Sequence, residues 1–112
     1  MIPETEDWEP FDSGRTLGSL GSESGVILLD DEHAEGARIT IERGGSTAPY
    51  SITCGIYGWM AHTRFFATEE EARQECAEMK TALSDLMRKL DACGEDLESG
   101  GVYCRNFVAR FP

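Results

Sequence analysis

The stretch YSITCGIYGWMAHTRFFATEEEA, residues 50–72, decides the fold because it joins two strands to the start of a helix. Apolar and polar side chains alternate over 50–66, with a turn at Tyr57-Gly58, which is the period-2 pattern of a β-hairpin. Thr68, followed three residues later by Glu71, forms a capping box in which each side chain satisfies a backbone N–H at a helix start. The sequence therefore predicts two antiparallel strands that lead directly into a helix.

The predicted helix has one continuous apolar face. We expect it to span Glu69–Ala92 and to end at Gly94, where a left-handed residue can terminate it. Its apolar residues recur in alternating steps of four and three, which places them on one side of the helix. These residues are Ala72, Cys76, Met79, Leu83, Leu86 and Leu90.

Two further strands are predicted before the hairpin, at Val26–Leu29 and Ala37–Glu42. Val102–Phe111 is ambiguous, because its aromatic residues step by four as in a helix while its β-branched and aromatic content favours a fifth strand. We interpret it as a strand. The predicted fold is α+β, with an antiparallel β-meander of four or five strands and one long amphipathic helix packed on one face.

A chain of 112 residues has room for one domain. Residues 1–25 are acidic and rich in Gly and Ser, which predicts an arm that buries little on its own, and residues 26–112 form the α+β domain. Trp8 and Phe11 are the exceptions in this arm. We expect them to pin it to the domain or to a partner.

The net charge of −11 is concentrated near the N-terminus, where residues 1–35 hold ten acids and one base. Affinity for nucleic acid or for an anionic membrane needs clustered Lys and Arg, so we expect neither partner. A basic protein is a possible partner. The N-terminus lacks the basic start and apolar run of a secretion signal, and no stretch has the length of a membrane span, which predicts a cytoplasmic location.

The cysteines do not have the spacing of a metal site, because no Cys-x-x-Cys pair occurs and neither His lies near a Cys. We predict buried, reduced thiols, with a Cys93–Cys104 disulfide as the alternative. The acidic segment Asp30–Gly36, which contains His33, lacks the spacing of a calcium loop and is expected to be a solvated hairpin loop. No metal site and no cofactor are predicted.

The glycine-rich segment Gly18–Gly25 resembles a phosphate-binding loop in composition alone. It lacks the Lys and the Ser/Thr that should follow, and the strand comes after it instead of before it. We interpret it as a linker.

Candidate binding residues lie in the hairpin and in the arm. Tyr57 and Trp59 at the hairpin tip are expected to anchor an interface; the alternative is that Trp59 folds back over the sheet and packs on the arm. His62 and Arg64 share one side of their strand, but Cys54 shares its side with apolar neighbours, so a catalytic Cys–His pair is disfavoured. No catalytic residue is predicted, and the binding candidates are Trp8, Phe11, Tyr57, Trp59, His62 and Arg64.

The helix is predicted to be longer than the sheet, at ~36 Å against strands of ~20 Å. Its far half carries Leu83, Leu86, Met87 and Leu90, which must be covered by Val102–Phe111 or by a second copy. We favour the second copy, and therefore a homodimer.

The leading functional hypothesis is a small acidic cytoplasmic module that regulates or neutralises a basic protein partner. In architecture and charge it is similar in type to bacterial immunity proteins and antitoxins. One alternative is a small-ligand binder or enzyme that uses the sheet face around His62 and Arg64. Another is a structural homo-oligomer.

Overall fold

The computed structural model describes residues 7–112, which form a five-stranded antiparallel sheet and two helices. The strands lie in the sheet in chain order and are β1 (Trp8–Pro10), β2 (Val26–His33), β3 (Ala37–Arg43), β4 (Tyr50–Ile56) and β5 (Met60–Phe66). Helix α1 (Glu69–Cys93) lies across one face of the sheet, and helix α2 (Leu97–Arg110) packs against α1. The predicted α+β class, antiparallel meander and long helix on one face are confirmed.

The two ends of α1 lie where the sequence signals predict them, and one of the two hydrogen bonds of the predicted capping box is present. The hydroxyl of Thr68 accepts a hydrogen bond from the backbone N–H of Glu71 at 3.2 Å. Gly94 follows the helix with φ 55°, in the left-handed region that disfavours other residues. Acids occupy the first turn, where the helix dipole favours negative charge.

The main core lies between α1 and the sheet face that it covers. On β3 and β4, every second side chain points to this face, and Ile39, Ile41 and Ile52 are fully buried there. Met79 and Leu83 of α1 pack against them and are also fully buried. Burial of side chains of this size stabilises the fold by about 1.5–3 kcal/mol each.

The interpretation of Val102–Phe111 as a strand is wrong, because this segment belongs to helix α2, with Phe111 as the C-cap. The side chain of Asp96 caps the helix by accepting from the backbone N–H of Ser99 at 3.1 Å. Cys104, Phe107 and Phe111 are buried together, at the helical spacing of three and four. The tertiary contact with α1 outweighs the strand preference of the aromatic and β-branched residues.

The far half of α1 is covered within the chain. Leu83, Leu86, Met87 and Leu90 are all buried, and α2 is the element that packs along α1 there. The sequence analysis left two ways to cover this half of α1, the segment Val102–Phe111 or a second copy of the chain. In the structure the C-terminal segment covers it. The length of α1 therefore gives no reason for a dimer.

Strand β2 is longer than predicted and includes residues that we expected in a loop. Asp30, Asp31, Glu32 and His33 lie in the strand, so the interpretation of this part as a hairpin loop is wrong. These acids remain in a strand because their side chains find donors or cations on either face. The two salt bridges Arg38–Asp30 and Lys80–Asp31 are examples.

The described part of the predicted arm, residues 7–25, packs on the sheet, and residues 1–6 lie outside the described region. Strand β1 pairs with β2, with Trp8 opposite His33. Further along, Gly18 donates to the carbonyl of Ile27 and Ile27 donates to the carbonyl of Ser19, both at 2.9 Å. The segment thus returns to the start of β2 and forms part of the surface described next.

Candidate functional site

The two faces of the sheet have different surroundings. One face is covered by α1, and we call the other the open face. On β3 the buried residues Ala37, Ile39 and Ile41 point toward α1, so Arg38 and Thr40 point to the open face. Cross-strand pairing places Thr53 opposite Thr40 and Thr63 opposite Thr53.

A groove of about 810 Å³ lies on the open face. One wall comes from the returning segment with Thr16, Ser19 and Leu20, and the other from the β4–β5 hairpin with Tyr57 and Trp59. Its floor is formed by open-face residues of β3, β4 and β5, namely Arg38, Thr40, Thr53, Gly55 and Ala61. We call this cavity the groove.

The groove floor contains a guanidinium held in a fixed position. Arg38 donates from Nε and Nη2 to the two carboxylate oxygens of Asp30, at 2.8 and 2.7 Å. The ring of Phe11 stacks on the guanidinium with 3.6 Å from its carbon to the ring centroid. A two-point hydrogen bond with a stacked ring leaves the arginine little rotational freedom.

The carboxylate of Asp30 is buried, and both of its oxygens accept hydrogen bonds from side chains. The hydroxyls of Thr16 and Thr40 also donate to it, at 2.8 and 3.3 Å. Burial by itself would raise the pKa of Asp30, but the hydrogen bonds from Arg38 and the two threonines outweigh it and hold that pKa below its ordinary value. Asp30 is therefore a charged anchor that orients Arg38.

The glycine-rich segment binds a carboxylate of its own chain. Glu42 is buried, and its Oε1 accepts from the backbone N–H groups of Glu23 and Gly25 at 3.1 and 3.0 Å. A Cβ at Gly21 would lie too close to the carboxylate of Glu42, so a larger residue there would have to displace this carboxylate. The segment that we interpreted as a linker is thus a turn wrapped around Glu42, which attaches one wall of the groove to its floor.

The two hairpin candidates lie at the groove, in different environments. Tyr57 is 56% exposed, and its hydroxyl donates to Glu32 at 2.8 Å. Trp59 is half-buried, and its ring lies against Gly100 of α2. The expected alternative in which Trp59 packs on the arm is therefore wrong, because α2 occupies that role.

His62 and Arg64 lie on the face toward α1, where they hold the end of the chain. His62 donates from Nε2 to the carbonyl of Phe111, and Arg64 donates from Nε to the carbonyl of Pro112 at 3.2 Å. Arg64 also forms a salt bridge with Glu75 at 2.9 Å. Because these partners cover both side chains, the alternative site around His62 and Arg64 is not an open surface.

Cys54 pairs with His62 across β4 and β5, but it is part of the core. Burial raises the pKa of the Cys54 thiol to about 12, and burial likewise raises the pKa of Cys76 to about 11. All four cysteines are free thiols. A nucleophilic role for Cys54 is not supported, because the reactive thiolate is strongly disfavoured there.

The two arm candidates point to opposite faces. Trp8 is buried on the side toward α1, edge-on to His33 at 5.1 Å between ring centroids and 5.7 Å from the Nζ of Lys80. Phe11 instead covers Arg38 at the groove. Of the six predicted binding residues, Tyr57 and Trp59 line the groove directly and Phe11 supports it.

Sequence reasoning missed the floor of the groove. Arg38, Thr40 and Thr53 lie on the polar side of two alternating strands, and this alternation is the signal that could have found them. Thr16 and Leu20 had no such signal. Their position depends on where the returning segment packs, which no local pattern specifies.

No family model matches the chain, and no match was found among curated proteins or solved structures. Within residues 7–112, no group of three or more His, Cys, Asp or Glu side chains is arranged to hold a metal ion. Neither α1 nor α2, the helices of the described region, is long and apolar enough to cross a membrane.

Proposed function

We propose that this protein is a non-covalent binding module that takes a small, largely apolar molecule with one anionic or carbonyl acceptor into the groove. The observation that carries this proposal is Arg38, a fixed guanidinium in a groove whose lining also includes the apolar residues Leu20 and Ile27. The chemistry of the ligand follows from the groove's shape, its walls and its free donors.

The groove has the size of a small-molecule site. Ligand pockets typically measure about 300–1,000 Å³ and combine apolar walls with a few polar groups that orient the ligand. Here Leu20 and Ile27 supply apolar surface, while Thr53 and Arg38 supply hydrogen-bonding groups.

Arg38 has donors left for a ligand. A guanidinium carries five N–H groups. Asp30 accepts two of them, which leaves three. The side chain of Arg38 is 36% exposed, so the remaining donors can meet an acceptor without displacing Asp30. A carboxylate, sulfonate or carbonyl oxygen satisfies them, and a cation does not.

The lining favours binding over catalysis. The thiol of Cys54 points away from the groove into the core, and its pKa of about 12 keeps it protonated at neutral pH. His33 and His62 belong to the other face of the sheet, as their pairing with Ala37 and Cys54 shows. Glu42, a carboxylate in the groove lining, is held by the backbone N–H groups of Glu23 and Gly25.

The proposal can be tested with anilinonaphthalene sulfonate (ANS), which combines apolar rings with one anionic group. We expect native protein to bind ANS with increased dye fluorescence. Leu20→Ser should weaken binding about tenfold, because it removes an apolar wall. Leu97→Ser is the matched control, since Leu20 and Leu97 are similarly exposed, at 73% and 69%, and Leu97 lies on α2.

Arg38→Gln tests the polar part of the same site. It should weaken ANS binding, while Arg43→Gln on the same strand should not, provided that thermal melting shows both variants folded. Absence of ANS binding to the native protein would contradict the proposal. Equal loss with Leu97→Ser and Leu20→Ser would show that the dye binds elsewhere.

A second candidate function is association with a basic protein, and the charge distribution favours it. On the outer side of α1, Glu70, Glu71 and Glu78 are exposed and have no ion-pair partner within the described residues. Glu4 and Glu6 of the acidic arm lie outside the described region. Such a surface attracts a cationic partner at long range.

Replacing Glu70, Glu71 and Glu78 together by Gln tests this second candidate with a decalysine peptide as the probe. The native protein should bind the peptide less tightly as salt is raised, because screening weakens attraction between exposed charges. The triple variant should bind more weakly and with a flatter salt dependence. Equal affinities at low salt would reject the role of this helix surface.

A further inference from the structure

The sheet ends in an edge strand that has no partner. Strand β5 is seven residues long and pairs with β4 on one side. Within residues 7–112, no backbone hydrogen bond joins β5 to another element on its other side. In an antiparallel strand, alternate residues turn their N–H and C=O groups away from the partner, so β5 presents a row of free donors and acceptors.

The opposite edge of the sheet is protected, whereas β5 is not. Strand β1 has only three residues, and it contains Pro10 and Glu9. A short edge with Pro and charge is a usual device against strand addition. Strand β5 has no Pro, and its pairing with β4 is regular along its whole length. Its features are those of an edge that accepts another strand.

The charge of this edge permits a second copy despite the net charge of −11. Residues 43–68 contain no Asp or Glu. The one charged residue of β5, Arg64, points toward α1 and pairs with Glu75. The β5 edge is therefore a place where two copies of this acidic chain can approach with little local repulsion.

We propose that a second copy of this chain pairs antiparallel with β5, so that the two sheets join into one of ten strands. The register that uses all seven residues of both strands places Thr63 on the two-fold axis. It places Ala61 opposite the partner's Phe65, and Phe65 opposite the partner's Ala61. A small residue then faces a large one on each side of the axis, a self-complementary arrangement that a two-fold dimer requires.

This arrangement accounts for an exposed aromatic and adds a residue to the groove. Phe65 points to the open face and is 45% exposed in the single chain. Ala61 lines the groove. In the dimer the partner's Phe65 borders each groove at Ala61, so the second copy completes the apolar wall.

Sedimentation of the full chain at micromolar to millimolar concentration tests the proposal. We expect about twice the chain mass of 12.4 kDa, with association strengthened by salt because screening reduces the repulsion between acidic copies. Phe65→Lys should raise the dissociation constant at least about tenfold, because it places a charge at the interface between the two β5 strands. Leu97→Lys is the control and should leave the dimer unchanged.

Thr63→Cys tests the register. Paired residues on antiparallel strands have Cα atoms about 4.5–5.5 Å apart, within the range that a disulfide spans. Mild oxidation should therefore produce a covalent dimer from Thr63→Cys but not from Ser46→Cys, an exposed site away from β5. A monomer at all concentrations would overturn the proposal. So would a dimer that keeps its affinity in Phe65→Lys and gives no cross-link through position 63.

Discussion

Gly100 and Gly101 are neighbouring residues of α2 for which the structure predicts opposite effects of the same substitution. Both lie in the helix, where Ala is more stable than Gly by about 0.5–1 kcal/mol. A Cβ at Gly100 would lie 2.3 Å from Cη2 and 2.6 Å from Cζ3 of Trp59. A Cβ at Gly101 would lie 3.5 Å from Nη1 of Arg105, an ordinary contact with the end of a flexible side chain.

The comparison isolates the packing of Trp59 because the helix preference is common to both variants. Gly101→Ala should stabilise the protein by about 0.5–1 kcal/mol. Gly100→Ala gains the same amount but must displace the Trp59 ring, at an overpacking cost of about 1–3 kcal/mol. The free energies of unfolding of the two variants should therefore differ by about 1–3 kcal/mol, with Gly100→Ala the less stable.

Urea unfolding and thermal melting of the two variants provide the assay. For a domain of this length, 1 kcal/mol corresponds to about 4 °C in melting temperature, so the variants should differ by about 4–12 °C. Gly100→Ala should also change the emission of the protein, because Trp59 moves. Equal stability of the two variants would refute the packing of Trp59 on α2.

Three further predictions concern the core, the thiols and the buried carboxylate. Leu83→Asp should lower the free energy of unfolding by more than about 3 kcal/mol, because position 83 is fully buried; a normal melting curve would contradict this. In native protein a maleimide should label Cys93 first and Cys54 and Cys76 last, because the thiol pKa values of Cys54 and Cys76 are about 12 and about 11. Mass spectrometry follows the labelling of each cysteine. Rapid labelling of Cys54 would contradict its burial. The folded-state pKa of Asp30 is below the ordinary 3.8, so its ionisation stabilises the fold above that pH and the contribution is lost as pH falls through the folded value. The stability difference between native protein and Asp30→Asn should therefore shrink in acid, and a difference independent of pH would argue against the charged anchor.

Local signals predicted the elements where one pattern dominated. The capping box at Thr68 and the six-residue apolar face set α1, and alternation set β3, β4 and β5. The prediction for Val102–Phe111 was wrong because the segment has both a helical spacing of aromatic residues and a composition that favours a strand. Packing against the far half of α1 favours the helix. The prediction for the acids of β2 was wrong for a similar reason. A buried Asp is typical of a strand only when it has a partner, and the hydrogen bonds that Arg38 donates to Asp30 depend on the tertiary structure.

The sequence by itself determined the α+β class, the helix, the meander and the polar side of β3 and β4, because each of these depends on neighbours within a few positions. Only the tertiary structure decided where the returning segment lies, that Glu42 lies under its glycines, and that His62 and Arg64 hold the chain end instead of forming a site. These contacts join residues 17 to 49 positions apart. Their formation depends on how whole elements pack, and no local period or propensity records that packing.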